Sequence, residues 1–247
     1  MLKLPDGITT CLFDLDGVLT QTAKVHAQAW KQMFDGFLRE WSEAHGVPFE
    51  EFDRPTDYDE YVDGKPRLDG VRSFLESRGI DLPMGSPADP AGAETIHALG
   101  TRKNERVLVL IREQGVEPYE GSVRFAEQAR DQGLRRAVVS SSTNCQDVLV
   151  VAGIDHLFEE RVDGVVAERE GLAGKPAPDT FLHGAKLLGA KAAEAAVFED
   201  AQAGVEAGRA GDFGWVVGVD RTGQAEALKR RGADVVVDDL SELLDSP

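Results

Sequence analysis

Ile8-Thr9-Thr10-Cys11-Leu12-Phe13-Asp14-Leu15-Asp16-Gly17-Val18-Leu19-Thr20 is the stretch on which the fold turns. Residues 8–13 form a short, largely apolar run that stops abruptly at Asp14, as a buried strand does when it ends in a polar loop. Asp14 and Asp16 stand at i and i+2, so their carboxylates project to the same side of the strand end. One carboxylate in such a pair can attack phosphorus while the other moves a proton, and Gly17 permits a tight turn. An ordinary strand-to-turn segment can also read DxDG, so the remaining polar clusters must decide.

Similar apolar runs recur at 137–139, 196–198, 215–219 and 234–237. Helical patterns lie between them at 122–132, 144–152, 178–188 and 202–210. Short β-rich runs alternating with helices predict an α/β fold with a doubly wound parallel sheet, a Rossmann-like core. Ligands of such sheets sit beyond the C-terminal strand ends, which is where Asp14/Asp16, residues 140–144 and Glu199/Asp200 fall. Residues 22–114 break the rhythm. Positions 25, 26, 29, 30, 33, 34 and 37 form a helical stripe across 22–38, further helices are expected at 68–78 and 94–112, and 85–92 is turn-rich. The expected organisation is a catalytic core of residues 1–21 and 115–247, with residues 22–114 inserted as a smaller helical cap domain.

The chain has 247 residues, 42% of them hydrophobic, and a formal net charge of −17. That acidity argues against nucleic acid or an anionic membrane surface as a partner, because both require a basic patch. No segment approaches the length of a membrane span, and the first residues carry no secretory apolar core, so a cytoplasmic location is expected. The two cysteines, Cys11 and Cys145, form no CxxC pair and read as small buried hydrophobes.

Three more clusters accompany the first. Ser140-Ser141-Ser142-Thr143-Asn144 ends a strand, where hydroxyls and helix-start amides either hold phosphoryl oxygens or simply cap the next helix. In Gly174-Lys175-Pro176-Ala177-Pro178-Asp179, prolines fix the backbone around one lysine, suited to a phosphate or else to a solvated loop. Phe198-Glu199-Asp200-Ala201-Gln202-Ala203-Gly204 places two acids at a strand end, as Mg²⁺ ligands or as an acidic helix start.

In order and spacing, these four clusters resemble the haloacid-dehalogenase (HAD) superfamily of phosphatases and phosphomutases. Within it the chain looks most like the β-phosphoglucomutase group. Asp14–Thr20 is followed by Thr22, His26 and Trp30 in the pattern TxxxHxxxW, then by Val62-Asp63-Gly64-Lys65-Pro66-Arg67 and Thr101-Arg102-Lys103-Asn104. Asp63 and Thr143 stand where that group usually has lysines. The resemblance implies a nucleophilic Asp14, an acid–base Asp16, and Ser140 and Lys175 against the transferring phosphoryl group. It implies Mg²⁺ held by Asp14, the carbonyl of Asp16, Glu199 and Asp200. It further implies Thr22, His26, Gly64, Lys65, Arg67, Ser142 and Asn144 as substrate contacts, with Arg67 forking onto the phosphate that is not being transferred. The expected partner is a small phosphorylated sugar, and a monomer is expected. Mutase, sugar-phosphate phosphatase and non-catalytic sugar-phosphate sensor all remain readings at this point; the absence of a GxGxxG after the first strand argues against a dinucleotide-binding oxidoreductase.

Overall fold

The computed structural model describes residues 2–53 and 56–245. It divides into two compact units: Met1–Gln21, Gly64–Pro66 and Val116–Pro247 form one, Thr22–Asp63 and Arg67–Gly115 the other. Residues 64–66, assigned to the insertion from the sequence, therefore cluster with the first unit, and Gly115 with the second.

The first unit begins with β1 (Thr10–Phe13), all four residues of which are buried. The second unit carries α1 (Ala23–His45), α2 (Arg67–Ser77) and α3 (Ile96–Gln114). The first then continues as α4 (Glu120–Asp131), β2 (Arg135–Val139), α5 (Cys145–Ala152), β3 (Glu160–Val162), α6 (Gly164–Glu170), α7 (Asp179–Leu187), β4 (Ala195–Glu199), α8 (Gln202–Ala210), β5 (Trp215–Val219), α9 (Ala225–Arg231) and β6 (Val235–Val237). Among the described residues six strands pair in parallel in the order β3-β2-β1-β4-β5-β6.

Parallel strands covered on both faces read as continuous apolar runs. Leu12 faces a core of Val139, Val162, Phe181, Ala185, Val197, Val205, Val216 and Leu228. Phe13, one position on, points to the other face. It stacks on Phe198 at 4.7 Å between centroids, and Phe125 and Phe158 meet its edge. Phe13, Phe125 and Phe198 are fully buried, and each contributes roughly 1.5–3 kcal/mol. The register pairing Phe13 with both Val138 and Phe198 is what assembles the site. It brings the residues just past these pairs, Asp14 after β1, Ser140 after β2 and Glu199 at the end of β4, to the C-terminal edge of the sheet.

The second unit has its own core. Trp30, Met33, Phe34, Phe37 and Leu38 of α1 pack with Phe52, with Val71, Phe74 and Leu75 of α2, and with Ile96 and Leu99 of α3. Phe34 and Phe74 approach to 4.1 Å between centroids. Helix α1 runs to His45 rather than stopping near 38, because its buried stripe continues through Ser42 before Gly46, at φ 64°, ends it. Thr95 accepts from the Ala98 amide and so caps α3. Strand β3 and helices α6 and α9 are additions to the elements expected from the sequence. Among the described residues no helix is long and apolar enough to cross a membrane, and Cys11 and Cys145 are both buried and unbridged.

Candidate active site

At the edge of the sheet, Lys175 is the hub. Its Nζ donates to Asp14 Oδ1 at 2.5 Å, to Glu199 Oε1 at 2.6 Å and to the Val139 carbonyl at 3.0 Å. An ammonium has three hydrogens, and these three bonds use them all. The Lys175 side chain is 1% exposed, Asp14 10% and Glu199 0%, so the three charges meet in a nearly dry environment. The turn that delivers the lysine is tight. A methyl group at Gly174 would lie 2.1 Å from Pro66 Cγ, and the Ala177 amide bonds back to the Gly174 carbonyl.

The acids are equally constrained. The Asp14 amide donates to the Phe198 carbonyl at 2.9 Å, continuing the β1–β4 ladder into the site. Glu199 Oε2 accepts from the Ala201 amide at 2.8 Å, and a Cβ at Gly204 would fall 1.7 Å from Glu199 Oε1. The glycine of the EDAQAG segment is thus required for space. Gly17 has the same duty towards Asp200. It sits at φ 91°, and a Cβ there would lie 1.8 Å from Asp200 Oδ2. Asp16 is half-buried in the turn that follows, where the Gly17 amide donates to the Thr20 carbonyl.

One oxygen each from Asp14, Glu199 and Asp200 lies within 4.8 Å of the others, a buried group able to hold a metal ion. Three carboxylates face one ammonium, and all donors are hard oxygens; both features suit a divalent cation such as Mg²⁺. Burial pushes the Asp14 carboxyl above its usual range, opposed by Lys175 and reinforced by Asp16. Burial likewise raises Glu199 to about 7, against the pull of Lys175. Burial would lower Lys175, but Asp14 and Glu199 outweigh it and hold the ammonium above the ordinary lysine range.

Ser140 is buried beyond β2, and its amide donates to the Val162 carbonyl. Its hydroxyl accepts from the Ser142 amide at 3.1 Å, and the Ser142 hydroxyl from the Asn144 amide at 3.2 Å, so both serines shape the turn into α5. Ser141 Oγ donates to the Gly64 carbonyl at 2.8 Å. Gly64, at φ 70°, abuts Ala201 closely, which places it and Lys65 with the first unit. Thr22, His26 and Arg67 belong to the second unit. There Thr22 is buried and its carbonyl accepts from the His26 amide. His26 Nδ1 lies 3.1 Å from Lys103 Nζ, and the lysine sits 4.8 Å from the Trp30 ring centroid. Burial, with Lys103 and then Arg67 adding to it, holds His26 well below the ordinary histidine range. No role was read for Lys103 from the sequence, although it interrupts the buried stripe Ile96, Leu99, Val107, Leu110 of α3 with a cation.

Residues 8–212 match the family model for haloacid dehalogenase-like hydrolase. The chain belongs to that family. A Mycobacterium bovis relative named Beta-phosphoglucomutase is 56% identical over 247 residues, covering 99% of this chain and 94% of its own. The crystal structure of beta-Phosphoglucomutase from Clostridium difficile superposes with a TM-score of 0.74 at 26% identity, over 96% of this chain and 93% of that one. A more distant Escherichia coli relative, 27% identical over 81% of this chain and 90% of its own, is named Fructose-1-phosphate phosphatase YqaB. Family membership and these relatives make the chain an enzyme of phosphoryl transfer.

Proposed function

We propose that the protein is a Mg²⁺-dependent β-phosphoglucomutase, converting β-glucose 1-phosphate to glucose 6-phosphate through a bisphosphate. The observation that carries the chemistry is the buried lysine bridging Asp14 and Glu199 beside Asp200. The near-full-length likeness to the mycobacterial Beta-phosphoglucomutase supports the substrate.

Asp14 is the nucleophile. Its Oδ attacks phosphorus, the bond from phosphorus to the sugar oxygen breaks, and that oxygen takes a proton from Asp16. In the return step a sugar hydroxyl gives its proton to Asp16 and attacks the aspartyl phosphate, which frees Asp14. Asp14, Glu199, Asp200 and the Asp16 carbonyl would hold Mg²⁺, which when bound supplies positive charge against the phosphoryl oxygens. Lys175 neutralises Asp14 and keeps it aimed. The Ser140 hydroxyl, which accepts from the Ser142 amide, keeps its own hydrogen to donate to a phosphoryl oxygen. The second unit acts as the helical cap, with Thr22, His26 and Arg67 binding the sugar phosphate, while Gly64, Lys65, Ser142 and Asn144 serve the same substrate from the first.

A phosphatase differs only in letting water discharge the aspartyl phosphate, and the absence of lysine at Asp63 and Thr143 keeps that reading open. Product analysis with β-glucose 1-phosphate, Mg²⁺ and a catalytic amount of bisphosphate separates the two. Glucose 6-phosphate is expected; inorganic phosphate as the main product would make the protein a phosphatase.

A further inference from the structure

The loop between β5 and α9 contributes nothing to the chemistry described above, yet it touches the site's main chain at two points. Arg221 Nε donates to the Gly17 carbonyl at 2.9 Å. Gln224 Nε2 donates to the Asp200 carbonyl at 3.1 Å and is itself next to Gln202, whose Nε2 donates to Gln224 Oε1 at 3.2 Å. The loop is stiff enough to transmit such contacts. Asp220 accepts from the amides of Thr222, Gly223 and Gln224 through Oδ1 and from that of Ala225 through Oδ2, so one carboxylate gathers the whole turn.

Arg221 is anchored through Nε, Nη1 and the face of its guanidinium. Its Nη1 donates to the Asp238 carbonyl at 2.7 Å and to Asp239 Oδ2 at 3.3 Å, and its guanidinium carbon lies 3.6 Å from the Tyr119 ring centroid. Tyr119 in turn binds the same catalytic turn, its amide donating to the Leu19 carbonyl at 2.9 Å. The carbonyls of this turn are taken one after another: Gly17 by Arg221, Val18 by Ser122 Oγ at 2.6 Å, Leu19 by Tyr119, and Thr20 by the Gly17 amide. Arg221 is the one side chain among these donors that comes from the far half of the chain, 204 residues from Gly17. Because Gly17 is pressed against the Asp200 carboxylate, holding its peptide plane also holds the wall on which Asp200 rests.

We propose that the β5–α9 loop is a brace for the active site, with Arg221 and Gln224 as positioning residues for the main chain at Gly17 and Asp200. Neither touches the reacting atoms. Arg221 fixes the Gly17–Val18 peptide, one residue past Asp16, and through the turn the aim of the acid–base carboxylate; Gln224 fixes the backbone of Asp200. A lysine cannot replace Arg221, since stacking flat on Tyr119 while donating to three oxygens needs a planar fork. The catalytic half of the proposal rests on the phosphoryl-transfer reading of Asp14 and Asp16.

The test compares Arg221→Ala, Arg221→Lys and Gln224→Ala with Arg209→Ala. Arg209 is a matched control, because it clamps the Gly232 carbonyl and pairs with Asp234 in the same unit, away from the site. Two readouts are taken on the full-length protein: amide hydrogen exchange across residues 15–21, and kcat and KM with β-glucose 1-phosphate at saturating Mg²⁺. Arg221→Ala is expected to speed exchange at Gly17, Leu19 and Thr20, and to lower kcat at least tenfold while KM changes less than threefold. Arg221→Lys should recover little of either. Gln224→Ala, at a half-exposed position that should not compromise folding, should lower kcat in the same direction by a smaller factor. Arg209→Ala should leave kcat unchanged. Unaltered exchange at 15–21 in Arg221→Ala overturns the brace. Faster exchange with unchanged kcat overturns its role in catalysis, as does an equal fall in kcat for Arg209→Ala. If Arg221→Ala does not fold, unchanged exchange and kcat in both Arg221→Lys and Gln224→Ala overturn the proposal. A wild-type protein without phosphoryl-transfer activity would instead refute the functional reading, and the exchange readout would still decide the brace.

Discussion

Lys175→Met removes one charge from the centre of the site and little else, since methionine keeps an unbranched side chain of similar shape. In the wild type the ammonium sits 2.5 Å from Asp14 and 2.6 Å from Glu199, with the lysine and Glu199 side chains 1% and 0% exposed. Without it two buried carboxylates face each other with no cation between them. Breaking a buried pair in this way costs about 3–5 kcal/mol, because the remaining charge stays desolvated. At roughly 2–4 °C per kcal/mol for a chain of this length, the Tm should fall by about 6–20 °C. The assay is thermal unfolding in excess chelator, so that no divalent cation stands in for the lysine. Adding Glu199→Gln to Lys175→Met removes one of the stranded charges and keeps an oxygen for the Ala201 amide, so the double variant should recover at least half of the loss. A drop below ~2 °C for the single variant would refute the buried triad as the organising interaction. So would a double variant no more stable than the single one.

Three further outcomes follow from the geometry. Gly17→Ala forces a side chain into a left-handed backbone and against Asp200, so it should destabilise by about 1–3 kcal/mol and weaken Mg²⁺ binding, read by denaturant unfolding and calorimetry. His26 is held neutral by burial and by the charges of Lys103 and Arg67. The unfolded chain takes up a proton near pH 6.5 where the folded one does not, so this contribution to stability is complete above pH 6.5 and lost as the pH falls. Between pH 7.5 and 5.5 the wild type should therefore lose about 1.4 kcal/mol more than His26→Gln, measured by urea unfolding at both pH values; equal losses would show that His26 is not held neutral. Arg67→Ala should weaken bisphosphate binding by roughly one to two orders of magnitude, the worth of a charge-assisted contact of about 1.5–3 kcal/mol, while sparing hydrolysis of a small phosphate ester that has no distal phosphate. Equal losses on both substrates would make Arg67 a general structural residue.

The sheet was legible where a strand is apolar on both faces. Leu12, Phe13, Val197 and Phe198 announce β1 and β4, and each run ends at an acid. Strand β3 was not legible, because three residues with Glu160 exposed and Arg161 half-buried carry no apolar pattern at the sheet edge. Helix α6 has no buried residue to mark it. The site's carboxylates and lysine stand in short motifs dense in the right chemistry, and the structure brings Asp14, Lys175, Glu199 and Asp200 together. What the motifs could not reveal is who holds whom. The contact between Lys175 and Asp14 spans 161 residues, and it depends on strand order. Arg221 and Gln224 left no signal, since each binds a backbone carbonyl, which every residue possesses. Gly64 and Lys65 read as part of the helical insertion because their neighbours in sequence are, whereas the contact of Gly64 with Ala201 assigns them to the first unit.

The central claim is that Asp14 carries the phosphoryl group. Rapid quenching of the enzyme during turnover with bisphosphate and Mg²⁺, followed by peptide mass spectrometry, locates that group directly. One phosphoryl group on Asp14 is expected, formed and discharged at the rate of turnover, and Asp14→Asn should fold normally, carry none and be inactive. Turnover with Asp14 unmodified, or with the phosphoryl group on another residue, would contradict the account.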